Sequence, residues 1–126
     1  MSIDPRSVLA TANHAVSRGD HDGFLACCTD DVVWHFVGDR TLRGKAEVKA
    51  YMDAVYVQPP EFDTARLIAD ADHVVAMGRI TLTSGGGRKT RSSYCDVWRL
   101  RDGKLAELHA FVIETHEPPG GVEPHD

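Results

Sequence analysis

The stretch Tyr94-Cys95-Asp96-Val97-Trp98-Arg99-Leu100 decides both how this chain folds and where its chemistry lies. It alternates with a period of two, the pattern of a strand half-buried against a core. Tyr94, Asp96, Trp98 and Leu100 share one side, and Cys95, Val97 and Arg99 share the other. A carboxyl group therefore stands in a row of two aromatic rings and a leucine. An ionised carboxylate buried without a partner is so costly that Asp96 must meet a cation or a donor, hold its proton, or line a cavity that admits water or a ligand. Structural ion pairs and working sites share this signature, so Asp96 is a candidate and its role needs further observations.

On either side of this strand the punctuation is clear. Glu61 to Ala69 and His73 to Thr83 read as strands around a turn at Asp70-Ala71-Asp72, and the loop Ser84 to Gly87 leads into Ser92 to Arg101. Asp102-Gly103 is a hairpin dipeptide, and Leu105 to Glu114 is the last strand. Toward the N-terminus, Asp4 caps a helix with Pro5 at its first position. Val8, Leu9, Ala12, Ala15 and Val16 recur at helical spacing until Gly19. Asp20 caps a short helix carrying Phe24, Leu25 and Cys28, which Thr29-Asp30-Asp31 ends, and Val32 to Val37 is a compact strand. After a loop through Arg43-Gly44, Lys45 to Val57 places Val48, Tyr51, Met52 and Val55 on one helical face, closed by Pro59-Pro60. Helices first and an antiparallel meander afterwards predict an α+β fold, with the helices covering one face of a curved sheet and enclosing a conical cavity.

Composition bounds the function. The chain has 126 residues, 42% hydrophobic and 26% charged, enough for one domain over residues 1–115. Residues 116–126, rich in Pro and Gly, are expected to form a disordered tail. Fourteen Lys and Arg against nineteen Asp and Glu give a net charge of −5, which argues against nucleic acid as a partner. The one basic cluster, Arg88-Lys89-Thr90-Arg91, reads as a solvated hairpin tip. No window is long and apolar enough to span a membrane, and Met1-Ser2-Ile3-Asp4-Pro5 has no positive region leading into an apolar one, so no secretory signal is expected. Three cysteines, two of them adjacent at Cys27 and Cys28, make no disulfide framework, so a reducing cytoplasmic location is expected. Seven histidines show no close ligand spacing, and Gly85-Gly86-Gly87 lacks the Lys and helix of a phosphate cradle, so neither a metal site nor another cofactor is expected.

Four segments carry a family resemblance: Arg18-Gly19-Asp20, Thr29 to His35, Leu42 to Val48, and Asp96 to Leu105. They resemble the nuclear transport factor-2-like superfamily, and within it the SnoaL-like domains related to polyketide cyclases and ketosteroid isomerases. The resemblance implies a cone-shaped α+β barrel, three N-terminal helices packed on a curved, mostly antiparallel sheet, and a homodimer paired through the outer face that carries Cys95, Val97 and Arg99. It also implies that Asp96 matches the isomerase carboxyl held protonated by an apolar site so that it donates a hydrogen bond to an enolate. The isomerase's general-base aspartate falls on Phe36, its oxyanion tyrosine on Ala12 and a supporting tyrosine on Met52, so the familiar proton shuttle is missing. Under the same register His35 and His109 point away from the pocket, whereas Arg79 points into it. An Arg79 beside Asp96 would keep the acid ionised, in the manner of the superfamily's epoxide hydrolases.

The candidate catalytic residues are thus Asp96 and Arg79. The pocket walls are Trp34, Phe36, Tyr51, Trp98, Leu108 and Val112, which suit a hydrophobic small molecule bearing a carbonyl or hydroxyl group. An isomerase, cyclase or hydrolase acting through Asp96 without a cofactor is the leading expectation. A non-catalytic ligand-binding or dimerisation module of the same fold is the alternative.

Overall fold

Asp4 accepts a 3.0 Å hydrogen bond from the Arg6 amide and so caps helix α1 (Pro5–Ser17), with Pro5 where its missing N–H costs nothing. The computed structural model describes residues 4–115, so the tail expected at 116–126 lies outside the described residues. Gly19, at φ +74°, turns the chain after α1 in a conformation that glycine adopts without strain. Asp20 then caps α2 (His21–Leu25) through the Gly23 amide at 2.9 Å. Helix α3 (Gly44–Val55) has no capping side chain at Arg43, but Glu47, one turn into the helix, accepts from the Arg43 amide at 2.8 Å and so satisfies that donor.

One sheet carries the remaining chain. Its strands are β1 (Cys28–Phe36), β2 (Arg40–Arg43), β3 (Glu61–Asp70), β4 (His73–Thr83), β5 (Lys89–Arg101) and β6 (Lys104–Glu114). They lie in the order β2-β1-β6-β5-β4-β3, antiparallel throughout except for β1 beside β6, which run parallel. Helix α1 packs on β3, β4 and β6, and α3 packs on β1 and β2. This is the expected α+β arrangement, with one correction. β2 and β3 are free edges among the described residues, so strand pairing leaves the sheet open and does not close a barrel. Register shifts in β1, in β3 and between β5 and β6 locally bend the strands.

Element boundaries differ where tertiary contacts outweigh local preference. Thr29-Asp30-Asp31 belongs to β1 and does not end α2, because Leu105 donates to the Cys27 carbonyl at 2.8 Å and Arg101 holds Asp31 at 2.6 Å. The expected loop before Gly44 contains β2, which pairs Val33 with Arg43 and Phe36 with Arg40 across a turn where Gly38 takes φ +85°. Helix α3 stops at Val55, short of Val57, and β5 begins at Lys89, ahead of Ser92.

The alternation in β5 holds through the ladder. Tyr94, Trp98 and Leu100 are buried on the inner face, in a core that includes Leu9, Phe24, Trp34, Met52 and Leu108. Asp96 sits between Ala76 of β4 and Ala110 of β6. Two methyl groups as cross-strand neighbours leave room over the carboxyl group that larger side chains would fill.

Gly78 fixes how β3 bulges past β4. A Cβ at this position would press on the Asp63 carbonyl oxygen and lie 2.8 Å from Thr64 Cα, against backbone that cannot swing aside. Gly78→Ala is expected to cost about 1–3 kcal/mol, as overpacking does. Gly86→Ala, in open space, should stay within about 0.5 kcal/mol. Urea unfolding of the two variants checks this, and equal costs would refute the close approach.

Candidate active site

Helices α1 and α2, the residue just past α3 and five of the six strands contribute to one cavity over Asp96. Asn13 and Val16 come from α1, Phe24 from α2, and Tyr56 from the residue that ends α3. The sheet supplies Trp34, Phe36, Phe62, Ile80, Tyr94, Trp98, Leu108, Ala110 and Val112. The rings support one another: Phe24 and Trp98 stand 5.6 Å and 6.1 Å from Trp34, the first edge-on at 80°. The cavity volume is about 50 Å³, room for a few waters and well below the roughly 150 Å³ that holds a benzene-sized guest. Val112, 47% exposed, marks its rim.

Asp96 has no hydrogen-bond partner and no counter-charge among the described residues, and desolvation pushes its pKa from 3.8 up to about 7. Its residue surface is not fully closed off, because the carboxyl group borders the cavity. The group therefore keeps its proton over most of the acid range and offers an O–H donor to whatever enters. Tyr56 lines the same cavity, and burial pushes its hydroxyl well above the usual range, with Tyr51 and then Asp96 adding to the effect. The Tyr94 hydroxyl is engaged at 2.6 Å with Thr64. Trp34 carries an indole N–H that is buried without a partner among the described residues, an arrangement that costs about 1–3 kcal/mol until an acceptor arrives.

Several sequence-based expectations change here. Arg79 does not meet Asp96. It is exposed on β4 and alternates with Ile80, which is 7% exposed and lines the cavity. Val74, Ala76, Ile80 and Leu82 on one side of β4 face Val75 and Met77 on the other, so alternation alone does not orient the strand. Tyr51 stands behind the cavity, 6.0 Å from Trp34 and 4.9 Å from Phe36, and Tyr56 takes the wall position expected of it. Trp34, Phe36, Trp98, Leu108 and Val112 do line the cavity. Asn13 and Tyr56 carry no sequence signal of a wall position: Asn13 flanks the buried stripe of α1, and Tyr56 follows the last helical residue, where periodicity says nothing about direction. His35 and His109 lie on the opposite face, stacked with ring centroids 4.7 Å apart.

Comparison with known proteins agrees with this architecture. Residues 9–108 match the family described as the SnoaL-like domain. A search of curated proteins gives no match. Among solved structures, the Delta 5-3-ketosteroid isomerase from Mycobacterium sp. superposes with a TM-score of 0.78 at 18% identity, covering 90% of this chain and 100% of that one. An LEH-like epoxide hydrolase of M. tuberculosis gives 0.77 at 20% identity, covering 86% and 81%. An NTF2-like protein of unknown function from Burkholderia pseudomallei gives 0.74 at 22% identity, covering 87% and 90%. At these identities the likeness concerns the fold.

The raised pKa links Asp96 to stability with a definite sign. The unfolded chain loses the Asp96 proton near pH 4, whereas the folded chain keeps it to about pH 7. Stability from this group is therefore complete below about pH 4, falls as pH rises through the window, and levels off above about pH 7. At about 1.4 kcal/mol per unit the loss is at most about 4 kcal/mol. Asp96→Asn should abolish this slope and gain relative to wild type as pH rises. Urea unfolding across the window measures the difference, and parallel profiles for the two chains would contradict an unpaired buried acid.

Proposed function

The chain belongs to the SnoaL-like domain family, and from that premise we propose that it binds a hydrophobic compound bearing a carbonyl or hydroxyl oxygen over Asp96 and acts on it as an isomerase, cyclase or hydrolase. The observation that carries this reading is the carboxyl group bordering a cavity with no cation among the described residues to pair it. Protonated, Asp96 donates to an oxygen on which negative charge develops; ionised, it takes a proton back. A pKa of about 7 keeps both forms populated near neutral pH, the condition general acid–base catalysis favours. Tyr56 supplies a second hydroxyl donor. Trp34, Phe36, Trp98, Leu108 and Val112 bind the apolar body, and Tyr51 props the wall. Because Arg79 lies on the outer face, it has no part in this chemistry. No cofactor is required. A guest larger than a few waters enters by displacing side chains at the rim around Val112.

The small volume of about 50 Å³, together with the lack of a second carboxylate in the lining, supports a second reading: a non-catalytic ligand-binding or dimerisation module. A thermal-shift screen with hydrophobic ketones, enones, epoxides and alcohols, followed by product analysis, separates the two. Under the leading reading, at least one compound raises the melting temperature and is converted, and Asp96→Asn slows conversion by about 100-fold or more. Ligands that stabilise both chains equally and return unchanged would leave only the binding module.

The proposal includes a homodimer and a cytoplasmic location. Phe111, Cys95 and Met77 lie in one row across β6, β5 and β4 on the outer face, and Phe111 and Met77 are 44% and 40% exposed, with Ile113 at 70%. Such an apolar strip on an unpaired sheet face suits a second copy of the chain. The three cysteines are free, in keeping with a reducing compartment. Among the described residues no helix is long and apolar enough to cross a membrane. Sedimentation should give a dimer for wild type and a monomer for Phe111→Glu; a wild-type monomer at high concentration would dismiss the pairing.

A further inference from the structure

We propose that His35, Glu107 and His109 form a binding site for a divalent transition-metal ion, Zn²⁺ above all, on the outer face of the sheet. The parallel pairing of β1 with β6 sets His35 directly beside His109. Glu107 precedes His109 by two residues and so projects from the same face of β6. One ligand atom from each residue lies within 4.8 Å of the other two. Tetrahedral Zn²⁺, with bonds of about 2.0–2.1 Å, needs ligand atoms about 3.4 Å apart. The rings of His35 and His109 stack at 24°, so binding requires the exposed His109 to turn out of the stack until its ring nitrogen and that of His35 face one point.

The donor chemistry selects the ion. Two imidazoles and one carboxylate are the set that suits Zn²⁺ and its neighbours in the transition series, whereas Mg²⁺ and Ca²⁺ require oxygen ligands. The surrounding contacts already orient the three groups. His35 Nε2 lies 3.2 Å from Glu107 Oε2, and its Nδ1 lies 3.2 Å from Thr41 Oγ1. Without metal, Nε2–H donates to the carboxylate and the Thr41 hydroxyl donates to Nδ1. With the ion in place of that proton, Nδ1–H donates to Thr41 instead, since a hydroxyl serves in both directions. Arg99 Nε donates to the other carboxylate oxygen, Oε1, at 3.3 Å, leaving Oε2 for the metal. The Arg99 charge weakens attraction for a cation, and its partner Glu107 offsets it. The side chains of His35 and Glu107 are 27% and 31% exposed, and an open depression bordered by His35, Thr41 and His109 adjoins the site. Three protein ligands with solvent at the fourth position is an open zinc geometry. This inference stands apart from the cavity over Asp96 and does not depend on it.

Calorimetric titration of the full, tag-free chain with ZnCl₂ tests the site, with MgCl₂ as a comparison and Co²⁺ absorption as the report on geometry. One ion per chain is expected, with a visible Co²⁺ band of four- or five-coordinate type. His35→Ala or His109→Ala should abolish both signals, and Thr41→Val should weaken binding about 10- to 100-fold. His14→Ala, on helix α1 and away from the outer sheet face, should leave the isotherm unchanged. The His35, Thr41 and His109 substitutions lie on the outer face, and the wild-type melting temperature provides a readout that needs no variant: Zn²⁺ must raise it. No rise with Zn²⁺, a Co²⁺ spectrum of octahedral aquo type, or an isotherm indifferent to His109→Ala would each overturn the site.

Discussion

A carboxyl group buried without a counter-charge is the constraint around which this protein is arranged. Asp96 stands on the inner face of β5 with alanines on both neighbouring strands, and nothing among the described residues neutralises it. A well-packed core would exclude such a group or pair it, because an unpaired ion there costs several kcal/mol. The chain instead leaves space above the carboxyl group and lets it hold a proton. The space and the raised pKa are therefore one feature: alanines open the cavity, the aromatic wall keeps bulk water out, and both keep the acid neutral. Filling the cavity with larger side chains would remove the reason for an acid, and bringing in a cation would remove the proton.

How far the sequence reveals this depends on whether the signal is local. The strand that bears Asp96 was legible because strict alternation admits only one division of its side chains, and the ladder to β4 and β6 respects it. Asp4 with Pro5 and Asp102 with Gly103 were legible because capping and hairpin turns are settled by a few adjacent residues. Strand β2 was not. Arg40-Thr41-Leu42-Arg43 holds one apolar residue, and its pairing with β1 is the only reason it is extended. The polar start of β1 was missed for the same cause, since Thr29-Asp30-Asp31 is drawn into the sheet by Leu105 and Arg101 from the far end of the chain.

The site divides along the same line. Trp34, Phe36, Trp98, Leu108 and Val112 follow from alternation plus a correct choice of inner face. The direction of Arg79 is not legible because β4 has apolar residues on both sides; its orientation is set by the approach of Gly78 to the β3 bulge and by the ladder to β5. Tyr56 was hidden by its place just past a helix, where the backbone at φ −94° and ψ 51° leaves the helical pattern and takes the side chain elsewhere.

The two faces of the sheet show how one topology generates unrelated chemistry. Parallel pairing of β1 with β6 joins segments remote in sequence, and because side chains alternate, that one registration acts on both sides at once. Inward, it sets Trp34 beside Leu108 and Phe36 beside Ala110, extending the cavity wall that adjoins Asp96. Outward, it sets His35 beside His109 over Glu107. A slip of one residue would bury the imidazoles and expose the indole, so the large gain from burying Trp34 fixes the histidine pair as a consequence. Spacing along the chain gives no hint of that pair, because it arises from the packing of its neighbours.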